Sequence, residues 1–292
     1  MPSPYPPDLA FVADLARRAG ELALRSYGRI DRETKTSAGE RIQGWDPVEA
    51  VTEADRASQR LIIAALRERH PDDGVIGEEC DDGSGITNRP PTSGERVWVI
   101  DPIDGTNNYV AGLGCFAVCI ALLERGVPVL GVVHDTTRGI PYAAAGGRAW
   151  FGERETRALA TPMSDRSLVM LTCNLLDRRG QLPAFIGRWL ETSPWKFRML
   201  GSAALEAVQV GAGVAHAAIT VNGKLWDVAA AAAVVLAAGG RVTDLAGKDV
   251  FPFSTKDYRG AKVPFLACGP GALGTVLGEI RDHGWPAEGP RS

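Results

Sequence analysis

The stretch Arg96-Val-Trp-Val-Ile-Asp-Pro-Ile-Asp-Gly-Thr106 constrains this chain more than any other. Its first half alternates in the manner of a half-buried strand. Pro102, which has no amide to donate, is expected to stop that strand at Asp101. Asp104 re-enters shortly after, and Gly105-Thr106 is expected to open a helix. Two carboxylates are thereby turned toward one point. Like charges held close are unfavourable unless a cation sits between them, and hard carboxylate oxygens suit Mg²⁺. A helix start also offers free backbone N–H groups and a positive dipole end, which suit a phosphate. Cation ligands and an anion seat therefore fall within six consecutive residues, Asp101 to Thr106.

Three further acidic places deserve comparison with this one. Gly77-Glu78-Glu79 follows the short apolar pair Val75-Ile76, Asp227 stands behind Trp226 where a helix opens, and Asp55 lies in Val51-Thr52-Glu53-Ala54-Asp55. Each has a plainer reading. Asp-Pro and Asp-Gly are common turn dipeptides, Glu78-Glu79 alone is a solvated surface pair, and Asp227 makes a good helix N-cap. Thr52 with Asp55 fits a capping box, although capping and catalytic roles can coexist. Trp98 and Trp226 read as packing residues.

Composition removes several classes of function. At 292 residues with 45% apolar content, the chain can build one large core or two modest domains. A net charge of -3 and the lack of a dense Lys/Arg block argue against a nucleic-acid partner. The longest apolar run, Val228 to Ala238, is far shorter than the about 20 residues needed to span a bilayer, so no membrane partner is expected. Residues 1–7 do not read as a secretory signal. Five scattered cysteines read as buried thiols of a reducing cytosol, which points to a cytoplasmic protein. Four dispersed histidines give zinc little to bind.

Periodicity sets the organisation. A helical period starts after Asp8 and stops at Gly28, the polar stretch from Arg29 to Trp45 is expected to be a mobile loop, and a second helix runs from about Glu53 to before Pro71. Cys115–Leu123 and Val127–Val133 are expected to pair as a hairpin through Arg125-Gly126, with another hairpin through Gly146-Gly147. After residue 150 strands at 167–173, 215–220, 241–245 and 264–268 alternate with helices at 182–190, 202–210, 227–238 and 272–280. The expected class is α/β with an α+β N-terminal half, divided into domains 1–150, carrying most of the acidic sites, and 151–292.

Taken in order, Gly77-Glu78-Glu79, Trp98-Val-Ile-Asp-Pro-Ile-Asp-Gly-Thr-Asn-Asn-Tyr109 and Trp226-Asp227-Val228-Ala229 with Ala238-Gly239-Gly240 resemble the inositol monophosphatase family. Val51–Asp55 and Gly201-Ser202-Ala203-Ala204 add to the resemblance, which covers nearly the whole chain. It implies a layered α-β-α-β-α sandwich of the kind shared with fructose bisphosphatases. It implies a Mg²⁺-dependent phosphomonoesterase with two to three Mg²⁺ per active site. Glu78, Asp101 and the Ile103 carbonyl would hold one ion, and Asp101, Asp104 and Asp227 a second. Gly105 and Thr106 would receive the phosphate, with Ser202, Ala203, Thr220 and Asp227 lining the substrate. Thr106, hydrogen-bonded to Asp55, and Glu78 would activate water. Lithium sensitivity and a homodimer are further implications of the family.

Substrate choice rests on positions where the chain departs from that pattern. Inositol-1-phosphate phosphatases usually carry an acidic residue seven places before the Trp-Asp aspartate, and Thr220 stands there. Gly44 occupies the place of a mobile-loop lysine, for which Lys35 or Arg41 could substitute. Asn107-Asn108 resembles the inositol version more than the histidinol-phosphate version. Inositol monophosphate is therefore the first expectation among small phosphate esters. Histidinol phosphate comes next, then adenosine 3',5'-bisphosphate and fructose 1,6-bisphosphate. A dinucleotide-binding reading fails because Gly269-Pro270-Gly271 and Gly274 lack the required spacing.

Overall fold

Alternation along the strands sorts the apolar side chains into three stacked layers of core, and the elements follow from that sorting. The computed structural model describes residues 5–27, 53–80, 86–177 and 180–284, with the backbone of 33–35 and 49–51. The chain runs α1 (Pro7–Leu24), β1 (Glu33–Lys35), β2 (Glu49–Val51), α2 (Glu53–Arg69), β3 (Gly74–Gly77), β4 (Thr87–Arg89), β5 (Arg96–Asp104) and α3 (Thr106–Ala111). A meander follows, β6 (Ala117–Glu124), β7 (Val127–Asp135), β8 (Ile140–Ala145), β9 (Arg148–Phe151) and β10 (Arg154–Thr156). The remainder is β11 (Leu168–Leu171), α4 (Ala184–Thr192), β12 (Lys196–Arg198), α5 (Ala203–Gly211) and β13 (Ala217–Thr220). It closes with α6 (Leu225–Ala237), β14 (Arg241–Thr243), β15 (Phe265–Cys268) and α7 (Leu273–Asp282).

An eight-stranded sheet, ordered β10-β9-β8-β7-β6-β5-β3-β4, and a five-stranded sheet, β12-β11-β13-β15-β14, form the two β layers. On the large sheet Trp98, Ile100, Val118 and Ile120 face α1 and α2, while Val97, Val99, Ala117 and Cys119 face α5 and α6. On the small sheet Met170, Ala218 and Ala267 join that same middle core, and Val169, Ile219 and Leu266 pack on α4 and α7. The order of layers is thus α-β-α-β-α, as the sequence led us to expect. Both hairpin turns pair two residues of positive φ, Arg125 (50°) with Gly126 (75°) and Gly146 (58°) with Gly147 (74°), which matches strand twist.

Some elements depart from expectation. Helix α1 ends at Leu24 rather than Gly28, and Tyr27 instead turns its ring onto Tyr109 and Phe116. Glu33–Lys35 is not loop but strand, paired antiparallel with Glu49–Val51. Three residues are too few to show a period, so only backbone pairing reveals it. The rest of Arg29–Trp45, with Arg41 and Gly44, lies outside the described residues. The cysteines are free thiols, of which Cys119 and Cys268 are buried but Cys173 is exposed, because its strand ends at Leu171. Among the described residues no helix is long and apolar enough to cross a membrane.

Helix α6 is the centre of the molecule. Ala229 to Ala233 are buried on every side, and so many methyls let the helix lie flush on β7. The contact needs a glycine there: a Cβ on Gly131 would stand 2.5 Å from the Ala230 carbonyl oxygen and 2.6 Å from the Ala233 Cβ. Gly131→Ala should therefore cost about 2 kcal/mol through overpacking, read as a lower urea midpoint at unchanged slope. An unchanged midpoint would show that the two layers do not meet there as closely as this.

Candidate active site

Strand β5 does not stop at Pro102. It continues to Asp104 through a bulge: Asp101 pairs with Cys119 and Asp104 with Ala117, so three steps on β5 match two on β6. A bulge tolerates proline because the extra residue makes no ladder bond. The consequence is functional. Residues three apart on a regular strand face opposite ways, but Cys119 and Ala117 share one face of β6. Asp101 and Asp104 are therefore returned to that same face, toward α5 and α6. The Ile103 N–H donates to Asp101 Oδ1 at 3.0 Å and fixes the turn, while Gly105 takes a φ of 94° to start α3. A side chain at Gly105 would also stand 3.0 Å from the Cys115 carbonyl oxygen and 3.2 Å from that of Gly201.

Strand β3 runs parallel to β5, with Gly77 opposite Ile100. The Glu78 N–H continues the ladder to the Ile100 carbonyl at 3.2 Å, so Glu78 stands abreast of Asp101. Gln59 of α2 locks this strand end. Its amide donates to the Glu79 carbonyl at 2.6 Å and accepts the Glu79 N–H at 3.0 Å. Gly77 has to be glycine beneath it, since a Cβ would lie 2.4 Å from Gln59 Oε1. Asp55, Ser58 and Gln59 occupy the buried stripe of α2 that continues as Ile62 and Leu66. Polar residues on an apolar stripe were the signal for Gln59 that motif reading passed over.

Asp104 reaches the first turn of α5. Ser202 Oγ donates a short hydrogen bond to its Oδ2, Ala204 N–H donates to the same oxygen at 2.8 Å, and Ala203 N–H to Oδ1 at 3.3 Å. Asp227 lies on α6, but as the third helical residue rather than the N-cap, because the helix already starts at Leu225 after Lys224. From there Asp227 Oδ2 accepts the Lys224 N–H at 2.8 Å. Tyr258 ties down the same helix end, its hydroxyl accepting the Leu225 N–H and donating to the Ala261 carbonyl.

The remaining expected residues divide. Thr106 donates its hydroxyl to the Ile103 carbonyl at 3.0 Å. Asp55 is 1% exposed, and its charge is felt at both Asp101 and Tyr109. Thr220 ends β13 at 3% exposure. A Cβ on Gly223 would stand 2.6 Å from the Thr220 methyl and 3.6 Å from Asp227 Oδ2, so Gly223 lies between the two. Of Lys35 the backbone alone is described.

Charge is concentrated at Asp101. Burial pushes its carboxyl well above the usual range, and the charges of Glu78, Asp104, Asp227 and Asp55 raise it further. Burial likewise pushes Asp104 up to about 6, against the pull of the hydrogen bonds from Ser202 and the α5 amides. Burial and then the charges of Asp104, Asp101, Asp227 and Glu78 raise the Cys119 thiol behind them. Carboxylates whose charges act on a buried Asp101 call for cations. The donors are hard oxygens, which fit Mg²⁺ and not a soft metal. Among the described residues no three acidic, histidine or cysteine side chains already close on one point, since Asp104 and Asp227 are turned to helix amides. A carboxylate offers about four lone-pair sites, so both retain capacity toward a cation.

Comparison with known proteins shows the family and the fold. The profile of the inositol monophosphatase family matches residues 7–270. A fructose-1,6-bisphosphatase/inositol-1-monophosphatase of Thermotoga maritima is 37% identical over 247 residues, 84% of this chain and 88% of the relative. A histidinol-phosphatase of Mycobacterium tuberculosis is 35% identical, over 82% of this chain and 88% of its own length. Among solved structures, a Thermotoga maritima IMPase superposes with a TM-score of 0.76 at 30% identity, covering 94% of this chain and 97% of the other. The chain belongs to the inositol monophosphatase family, and with it to the phosphoric monoester hydrolases.

Proposed function

We propose that the chain hydrolyses inositol monophosphate with Mg²⁺, by direct displacement with water and without a phosphoenzyme. The observation that carries this reading is the gathering of Glu78, Asp104, Asp227 and Asp55 about Asp101, beside the first turns of α3 and α5. Glu78, Asp101 and the Ile103 carbonyl would hold one ion, and Asp101, Asp104 and Asp227 a second. Bound there, Mg²⁺ supplies charge neutralisation and a more acidic water. The chain's own groups do the positioning that phosphoryl transfer chiefly requires. Amides of Gly105 and Thr106 receive the phosphate, with Ser202 and Ala203 at its other side. Glu78, with Thr106 and Asp55, orients the attacking water and takes its proton, for which the Thr106 hydroxyl must turn from the Ile103 carbonyl toward Asp55.

Similarity to the Thermotoga maritima relative, named for both fructose 1,6-bisphosphate and inositol 1-phosphate, supports the inositol substrate and fructose 1,6-bisphosphate alike. Histidinol phosphate is the second reading, favoured by the Mycobacterium tuberculosis relative and by the burial of uncharged Thr220 where a polyol contact would be acidic. A phosphate-release assay on inositol 1-phosphate, histidinol phosphate, adenosine 3',5'-bisphosphate and fructose 1,6-bisphosphate, with Mg²⁺ and with added Li⁺, tests both. We expect inositol 1-phosphate to lead in kcat/KM by about tenfold, a difference of about 1.4 kcal/mol in transition-state binding, and Li⁺ to inhibit. Preference for histidinol phosphate would install the second reading. Turnover of none of the four would overturn the hydrolase assignment for these substrates.

A further inference from the structure

One buried carboxylate close to this site has no part in the scheme above. Glu206, in the first turn of α5, is 1% exposed. Its side chain points back past the helix start, and Oε1 accepts the N–H of Leu200 at 2.6 Å and that of Gly201 at 3.0 Å. Oε2 is buried and, among the described residues, has no hydrogen-bond partner. An ionisable group that deep is expensive to keep unless it organises something. Burial pushes its carboxyl up to about 8, the two amide bonds drawing it down and the charge of Asp104 adding to the rise.

What it organises is the turn over Gly105. The Leu200 carbonyl accepts Asn108 Nδ2 of α3 at 2.7 Å, and the same amide group donates to the Cys115 carbonyl at 2.8 Å. Gly201, at φ 81°, lies against Asn108 so closely that a Cβ would be 2.7 Å from Nδ2. Directly after it Ser202 Oγ and the amides of Ala203 and Ala204 hold Asp104. Two successive N–H groups pinned by one oxygen fix the orientation of that turn. Without the pin, Leu200 and Gly201 would leave two donors in a half-buried place, and the turn would rotate to satisfy them elsewhere.

We infer that Glu206 is a positioning residue, which clamps the Leu200–Gly201 turn so that Ser202 and the first amides of α5 present Asp104 to the cation site. This rests on the reading of Asp104 as a cation ligand, and it adds a residue that never touches substrate.

Two variants and one measurement on the parent test it. Glu206→Leu keeps bulk but no acceptor, whereas Glu206→Gln keeps an oxygen able to accept both amides. In the Leu variant we expect the calorimetric dissociation constant for Mg²⁺, measured without substrate, to rise about tenfold, which is about 1.4 kcal/mol. We expect kcat to fall by a similar factor while KM for the ester stays within about twofold, the split of a group acting beyond the substrate. Glu206→Gln should restore all three values to within about threefold. Hydrogen exchange on the unaltered chain should show Leu200 and Gly201 protected like sheet amides. Unprotected amides would overturn the clamp whatever the variants do, as would a folded Leu variant with parental Mg²⁺ affinity, or a Gln variant as impaired as Leu. Failure of the parent itself to bind Mg²⁺ or release phosphate would instead count against the proposed function, with the exchange result left standing for the clamp.

Discussion

Asp101→Asn is expected to cut phosphate release at least about a thousandfold, a loss of about 4 kcal/mol in the transition state, while making the metal-free chain harder to melt. The two effects have one cause. Asp101 is 2% exposed and carries the combined repulsion of Glu78, Asp104, Asp227 and Asp55. Replacing it by the isosteric amide removes the charge at the centre of that group but keeps an oxygen to accept the Ile103 N–H, so the β5 bulge survives. Activity falls because both proposed cation positions use this carboxylate. Stability rises because a buried like-charge contact has gone, by about 2 kcal/mol or roughly 5 °C in a chain of this size. Phosphate release at saturating Mg²⁺ and calorimetry in chelator near pH 8 make the pair of readings. A variant that keeps a tenth of parental turnover, or melts lower than the parent without metal, would remove Asp101 from the centre of the site.

The opposed signs explain which parts of this molecule were readable beforehand. Where local preference and global packing agree, the residues state the element. Leu9, Val12, Leu15 and Ala19 recur on the buried side of α1, and Arg125-Gly126 and Gly146-Gly147 turn their hairpins as a two-residue link requires. Around the acidic positions the two levels disagree, as they do at functional sites. Pro102 reads as a stop, yet the strand passes through it because a bulge absorbs the missing donor. Asp227 reads as the N-cap, yet the helix starts at Leu225, whose N–H the Tyr258 hydroxyl accepts, and Asp227 caps it from the third position by accepting the Lys224 N–H.

Other features carry little local signature, Gln59 only its place as a polar residue on the buried stripe of α2. Gln59 and Glu206 hold strand and turn ends through partners 20 and 6 residues away, and neither belongs to a motif. Strands β4, β10 and β12 have three residues each, shorter than any period that could announce them. Thr220 was legible as a departure from the acidic pattern, but its burial behind Gly223 depends on how β13 meets α6. The motif thus locates the carboxylates, and the packing of both helices against β5 decides how they are held.

The second large effect is a stability that depends on Mg²⁺ and pH together. Asp101 and Asp104 have folded carboxyl pKa values raised above the unfolded range, Asp104 to about 6. A raised carboxyl means that the metal-free folded chain binds more protons than the unfolded one, so its stability must fall as pH rises. The contribution is complete below about pH 4, where both states are protonated, and is lost as pH passes about 6. For Asp104 alone, with its carboxyl raised by burial to about 6, the loss from acid to alkaline pH approaches about 3 kcal/mol, and Asp101 adds to it in the same direction. Mg²⁺ should act oppositely, since on the proposed reading it would bind the ionised carboxylates that only the folded chain brings together. At a thousand times its dissociation constant it would add about 4 kcal/mol, near pH 8 but hardly at all near pH 5, where protons compete. In chelator the melting temperature should therefore drop between pH 5 and pH 8 by roughly 3–5 °C from Asp104, with Asp101 adding to it, and saturating Mg²⁺ should recover most of that drop. A metal-free melting temperature that rises over this interval, or an equal gain from Mg²⁺ at both ends, would mean that these carboxylates are stabilised by the protein itself and are not waiting for a cation.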